Sequence, residues 1–353
     1  MHTPFYDPLK SYEENFHEGP FGALAEGPVF KNEKEPLAEF FGQKVFLPFG
    51  IAAGPLINGK FIKAALNKGF DICTYKTVRA KQYPCNPMPN VVPVRVNRLT
   101  VEQAESGVQL ADKFSSSPTV TNSFGVPSFD PNFWQPDMRE AVLAAGKGQV
   151  VIGSFQGTAR GGSLQDYIQD FADCAHLVKE TGAKVLEVNL SCPNEGSSHL
   201  LCFDIPRARQ VVEAIKNEIG NTPLIIKIAY YKDQLMLERL VEAVGSLADG
   251  IEAINSVMSK IVDERGDSGF RDGRKFSGVC GAAIKWAGLE MVGRLKKLRE
   301  EKGFNFTIIG VGGVMDASDF REYQSAGAGA VMSATGVMWN PLLAQEIKQT
   351  IND

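Results

Sequence analysis

The sequence predicts an α/β protein folded as a (β/α)8 TIM barrel with an N-terminal arm and lid-like insertions. Eight short apolar runs of strand length alternate with amphipathic stretches of helical period. That alternation implies a parallel sheet, and the count of eight implies that it closes. The C-terminal ends of the runs are polar or glycine-rich, and barrels of this kind gather their chemistry at that face.

Taken in order, residues 1–44 are aromatic, Pro/Gly-rich and weakly periodic, and read as an arm packed on a barrel of residues 45–353. The expected strands are Val45–Ala52, Phe70–Thr77, Gln149–Phe155, Lys184–Leu190, Pro223–Ile228, Gly250–Ser256, Phe306–Val311 and Gly329–Ser333. Helices are expected over Leu164–Thr181, Ile205–Ile219, Gln234–Leu247, Lys285–Lys302 and Ala317–Ala326. In the first, Ile168, Phe171, Ala175 and Val178 recur near helical spacing. Asp316 reads as a helix start and Gly327 as a stop. Segment 97–121 is a polar insertion after the second strand, and 260–277 a charged one after the sixth. Both are placed to fold over the active face as lids.

Lys and Arg number 37 against 41 Asp and Glu, a net charge of −4, which opposes a nucleic-acid-binding surface. Apolar runs stay strand-sized, far from the ~18 residues that cross a bilayer. The first twenty residues lack the basic and apolar regions of a secretory signal. The six cysteines are scattered without a CxxC pair, which excludes a disulfide framework or a cysteine-held iron–sulfur or zinc site and fits a reducing cytoplasm. The four histidines do not cluster with carboxylates, so no metal site is expected.

The strand ends carry the candidate chemistry. They read Ala53-Gly54, Lys76-Thr77, Gln156-Gly157, Asn189 to Cys192, Lys227, Asn255-Ser256, Gly312-Gly313 and Ala334-Thr335. Gly310-Val311-Gly312-Gly313 can cradle a phosphate on backbone N–H groups, or can simply be a tight turn. Lys76 and Lys227 end apolar strands, so each must find an anion or an electron-rich ring unless it snorkels at the rim. Asn122, Asn189, Asn194 and Asn255 suit a planar heterocycle with alternating donors and acceptors. Cys192, in Asn-Leu-Ser-Cys-Pro-Asn (189–194), sits just past a strand in a polar loop, where a thiolate can act as nucleophile or base. Cys73, Cys174 and Cys280 fit the alternative of an inert buried thiol.

Together these motifs resemble the dihydroorotate dehydrogenases over roughly residues 45–350. The 189–194 loop looks like that family's catalytic loop. A cysteine there, rather than a serine, resembles the cytosolic class. Asn122-Ser123-Phe124-Gly125-Val126-Pro127 resembles its substrate segment. The resemblance implies an FMN-dependent oxidation of dihydroorotate to orotate in pyrimidine (UMP) biosynthesis, with Cys192 as base and Lys227 stabilising negative charge. It implies substrate binding by Lys76, Asn122, Ser123, Phe124, Gly125, Val126, Asn189, Asn194, Asn255 and Ser256. The FMN would be held by Ala53, Gly54, Lys76, Thr77, Asn189, Lys227, Ile254, Gly281, Gly312, Gly313, Ala334 and Thr335. Ser277 and Ala334 stand where glycine is common in the family. A homodimer is implied as well. Fumarate, NAD through a partner subunit, and a quinone all stay open as electron acceptor.

Two other readings compete. One is a different flavin barrel acting on pyrimidines, resembling dihydropyrimidine dehydrogenase, although Asn194 after Pro193 favours an orotate-type substrate. A dihydrouridine synthase-like enzyme would want a basic surface. The other is a barrel that only binds a phosphorylated ligand and is colourless when purified.

Overall fold

The computed structural model describes residues 4–32, 34–191, 200–270 and 272–352. Eight parallel strands close into a barrel: Phe49–Ile51, Ile72–Val78, Val150–Phe155, Val185–Asn189, Leu224–Ile228, Gly250–Ala253, Thr307–Val311 and Ala330–Ser333. Each pairs with the next, and the eighth pairs with the first through Val331 opposite Phe49. Residues of the second and third strands are buried on both faces, as barrel strands between a filled interior and a helical jacket must be.

The helices start where their caps dictate. Ser163, Asp204, Asp233 and Asp316 each accept a backbone N–H in the first turn of Leu164–Lys179, Ile205–Ile219, Gln234–Val244 and Ala317–Ala326. Gly327 ends the last of these in the left-handed region. Ile168, Phe171, Ala175 and Val178 all face the core.

Two expected elements are divided. The run Val45–Ala52 is two strands: Gln43–Val45 pairs antiparallel with Ala38–Phe40, and only Phe49–Ile51 joins the barrel. Pro48 causes the break, because it has no N–H for a ladder; its carbonyl instead accepts Val331 N–H. The hairpin plugs the N-terminal end. Phe40 and Val45 pack in the barrel interior with Ile72, Val150, Ile152 and Ile225. Gly250 makes room for it, since a Cβ there would lie 2.6 Å from the Phe41 ring. The run Gly250–Ser256 likewise ends its barrel strand at Ala253.

The two insertions, expected as lids, join in one sheet beside the barrel mouth. Val257–Val262 and Phe276–Gly281 pair antiparallel, and Phe276–Gly281 pairs in turn with Thr119–Asn122. Val91–Pro93 and Val108–Gln109 complete five strands in the order 91–93, 119–122, 276–281, 257–262, 108–109. The polar and the charged segment thus both contribute strands, and Val120, Asn122 and Cys280 of this sheet line the barrel mouth. The arm adds a short helix, Tyr12–Glu18, closed by a Ser11–Glu14 capping box. Its Phe5, Tyr12 and Phe16 pack against Phe61 and Phe129, with Phe16 and Phe129 centroids 4.4 Å apart.

Candidate active site

At the C-terminal ends of the strands lies a cavity of about 130 Å³, walled by apolar residues with a few convergent polar groups, as ligand sites are. The barrel strands and the loops that follow them contribute Ala53, Gly54, Lys76, Thr77, Asn189, Lys227, Asn255, Ala334 and Thr335. The insertion sheet and the segment after it contribute Val91, Val120, Asn122, Phe124, Gly125, Val126 and Cys280. Thirteen residues singled out in the sequence therefore share one wall-lined space. Ser123, Ile254, Ser256, Gly281, Gly312 and Gly313 lie beside it rather than on its wall. The side chain of Ser123 is engaged elsewhere, accepting from Arg274 Nη1 at 2.5 Å. Cys192 and Asn194 lie outside the described residues.

Lys227 is buried because its strand alternates inward with Ile225 in the barrel interior. Its ammonium is 2.5 Å from Glu252 Oε1 and 4.0 Å from Glu187 Oε2, on the neighbouring strands. Burial drives a lysine toward the neutral amine, but the two carboxyl groups outweigh it and raise the Lys227 pKa above its ordinary value. The side chain therefore remains a fixed cation at neutral pH.

An amide network lies beside it. Asn189 Nδ2 donates to Gln156 Oε1 at 2.8 Å, while its Oδ1 accepts from Asn255 Nδ2 at 3.2 Å and from the Ser191 hydroxyl at 3.1 Å. Mutual bonds lock these amides at the mouth before any ligand arrives, which lowers the ordering cost of binding. Across the cavity, Asn122 Nδ2 donates to Cys280 Sγ at 3.4 Å. Ser277, on the same sheet, donates to Asn122 O at 2.5 Å, so the serine in place of glycine is satisfied.

One glycine turn leaves room for a ligand to reach the main chain, and a second is required by close packing. Gly54 has φ +146° with open space where a Cβ would be, so a flat group can approach the main chain there. Gly313 has φ +65°, and a Cβ would lie 2.8 Å from Lys285 Cβ. The Tyr323 hydroxyl braces this turn by donating to Gly312 O at 2.6 Å.

Several wall residues carried no usable sequence signal. Tyr6 comes from the arm, far away in the chain, and its buried hydroxyl has no hydrogen-bond partner among the described residues. Cys280 fits the reading of an inert thiol in one respect, since burial raises its pKa, yet it lines the cavity. Glu187 and Glu252, fully buried and off the wall, sit within runs that read as buried strands. Two inward glutamates there were detectable as an anomaly. Among the described residues no group of His, Cys, Asp or Glu could hold a metal ion, and no helix is long and apolar enough to cross a membrane.

Fold and cavity together define a (β/α)8 barrel with a polar, cation-bearing ligand site under an added β-sheet. Residues 37–353 match the family model for dihydroorotate dehydrogenase. A dihydroorotate dehydrogenase of Dictyostelium discoideum is 35% identical over 98% of this chain and 97% of its own length. A dihydroorotate dehydrogenase (quinone) of Clavibacter michiganensis subsp. michiganensis is 27% identical over 85% of this chain and 80% of that one. Among solved structures, a dihydroorotate dehydrogenase of Eimeria tenella in complex with ferulenol superposes with a TM-score of 0.68 at 18% identity, covering 87% of this chain and 81% of that one, a likeness of fold. The chain belongs to the dihydroorotate dehydrogenase family and is an oxidoreductase of that family.

Proposed function

We propose that this chain oxidises dihydroorotate to orotate with bound FMN, as a cytoplasmic enzyme of the Cys-base class, and that it works as a homodimer. Residues 1–44 serve as an arm on a catalytic barrel of 45–353. The observation that carries the reading is the meeting of Lys76, Asn122, Asn189, Lys227 and Asn255 on one cavity in a chain of this family.

The residues present fit an FMN. The Gly312-Gly313 turn and the Ala334-Thr335 segment offer backbone N–H groups for the phosphate. Ala53, Gly54, Lys76, Thr77, Asn189 and Lys227 border a space open to a planar ring system. When bound, FMN supplies the two-electron acceptor for a hydride. The protein's own groups do the rest. Asn122, Asn189, Asn194, Asn255 and Ser256 hold the dihydroorotate ring and its carboxylate. Cys192, as thiolate, takes the proton from C5 as the hydride departs from C6, so that the C5–C6 double bond forms. Lys227, kept cationic by its carboxyl neighbours, stabilises the negative charge that builds up beside it. The sheet above excludes water.

Fumarate, NAD through a partner subunit, and a quinone all stay open as the acceptor that completes turnover. The arm's helix buries Tyr12 and Phe16 in the protein itself, which leaves it poorly suited to lie in a lipid surface. Anaerobic stopped-flow mixing with dihydroorotate tests the core of the proposal. The purified protein should be yellow and should bleach in a single turnover. Cys192→Ala should slow that bleaching by roughly 10²–10⁴-fold while leaving the flavin bound. Unchanged bleaching in the variant would remove Cys192 as the base. Steady-state assays with fumarate, a quinone, and NAD plus candidate partners then choose the acceptor.

A further inference from the structure

We propose that Glu187 and Glu252 share a single proton beneath Lys227, leaving the three groups with no net charge and making the two glutamates positioning residues for that ammonium. The three side chains project from adjacent strands, the fourth, fifth and sixth, and both glutamates are fully buried.

Hydrogen bonding accounts for only half of the carboxyl oxygens. Glu252 Oε1 accepts from Lys227 at 2.5 Å. Glu187 Oε1 accepts from the Ser154 hydroxyl at 2.6 Å, and Thr77 Oγ1 lies 2.9 Å beyond on Ser154. The remaining two, Glu187 Oε2 and Glu252 Oε2, are buried with no hydrogen-bond donor among the described residues, although the two carboxyl groups are near enough to hydrogen-bond each other and Lys227 Nζ lies 4.0 Å from Glu187 Oε2. One ammonium cannot neutralise two carboxylates, and two bare anionic oxygens facing each other out of water are costly. A proton on one carboxyl solves both problems, because it removes the surplus charge and provides the missing donor between the oxygens. Burial first, and Glu187 second, hold Glu252 well above the usual carboxylate range, as this arrangement requires. The other charged group bordering the same space is Lys76, a cation, so no third carboxylate contests the proton among the described wall residues.

The charge count has a consequence for the cofactor, which rests on the flavin reading above. A trio with both glutamates ionised would present a net negative charge under the site and oppose electron transfer into it. The neutral trio lets Lys227 act as a cation toward the site while its countercharge stays below.

Infrared difference spectroscopy on the purified protein tests the proton itself. Wild type minus Glu252→Gln, and wild type minus Glu187→Gln, should each show a carboxylic-acid carbonyl band that moves to lower frequency in D₂O. Either replacement leaves one glutamate facing one lysine, which ionises. Absence of the band from wild type, or its survival in Glu187→Gln, overturns the proposal. If one variant fails to fold, the other still decides. The midpoint potential of bound flavin gives the second readout. Both single variants should match wild type, and the double variant E187Q/E252Q should shift upward, because only it gains a positive charge. An upward shift already present in a single variant overturns the shared proton. A protein that takes up no flavin would refute the cofactor reading and leave the infrared result standing.

Discussion

The two ends of this barrel are made by the same strands and have opposite characters. At the N-terminal end, Ile72, Val150, Ile152, Val185 and Ile225 meet Phe40 and Val45 of the hairpin in a buried apolar layer. A few residues further along those strands come Lys76, Ser154, Glu187, Asn189 and Lys227, all buried and all polar. The floor is held by the hydrophobic effect, which is non-directional and forgiving in sequence. The mouth is held by hydrogen bonds and ion pairs whose partners must each be present, since an orphaned charge there costs more than the pair contributes. Damage to the floor should thus cost stability alone, and damage to the mouth should cost both stability and rate.

The sharpest test of that contrast is Lys227→Met, which keeps the stem and removes the cation. Turnover should fall by roughly 10²–10³-fold. Thermal unfolding should show a loss of about 3–5 kcal/mol as well, because Glu252 loses its countercharge in a buried site. A variant with normal stability and normal kcat would erase the distinction between the two ends. The matching change at the floor, Phe40→Ala, should cost about 3–5 kcal/mol through the cavity it leaves. Its kcat, measured well below the melting transition, should remain that of wild type.

The same contrast explains what could be read from the sequence. All eight barrel strands were legible because each is a short apolar run, and Lys76, Asn189, Lys227 and Asn255 were legible because polar residues interrupt such runs at one end. The hairpin at 38–45 was not separable from the first strand, since Val45 and Phe49 are both apolar and only Pro48 marks the break. The insertion sheet escaped for a different reason. Its pairing brings Thr119–Asn122 against Phe276–Gly281, more than 150 residues apart, and no local pattern encodes such a partnership. Tyr6 and Cys280 reached the cavity by that same long-range route.

The floor also contains one charged exception. Asp71 and Lys348 form a buried pair at 2.7 Å, with Asp71 also accepting the Leu47 N–H. Burial raises Asp71 from 3.8 to about 6 in spite of the lysine, and burial lowers Lys348 in spite of the aspartate, so both shifts say that desolvation outweighs the attraction. The sign follows from proton binding. Between about 4 and about 6 the folded state holds the Asp71 proton more tightly than the unfolded chain, so this group's contribution to stability falls as pH rises through that window. Lys348→Met alone should cost about 3 kcal/mol by stranding Asp71, and adding Asp71→Asn should recover most of it. Urea unfolding of the double variant across the same window should lack the decline seen in wild type; an identical pH profile would mean that Asp71 is not the titrating group.

The smallest expected effect falls where arm and mouth meet. Tyr6 stands with its ring edge-on to Phe124, centroids 5.6 Å apart, and is held in place by the neighbouring Phe5 N–H bonding to Met338 O. Its hydroxyl is buried on the cavity wall with no hydrogen-bond partner among the described residues. A polar group in that condition weakens the empty fold and gains on binding if a ligand supplies the missing bond. Tyr6→Phe should therefore leave the melting temperature of the ligand-free protein equal or slightly higher. It should weaken ligand binding by roughly 5- to 10-fold, about 1 kcal/mol, as one neutral hydrogen bond is lost. Calorimetric titration with orotate and with FMN would identify which of the two the hydroxyl meets. Unchanged affinity for both would return Tyr6 to the apolar arm and leave the mouth to the barrel and its sheet.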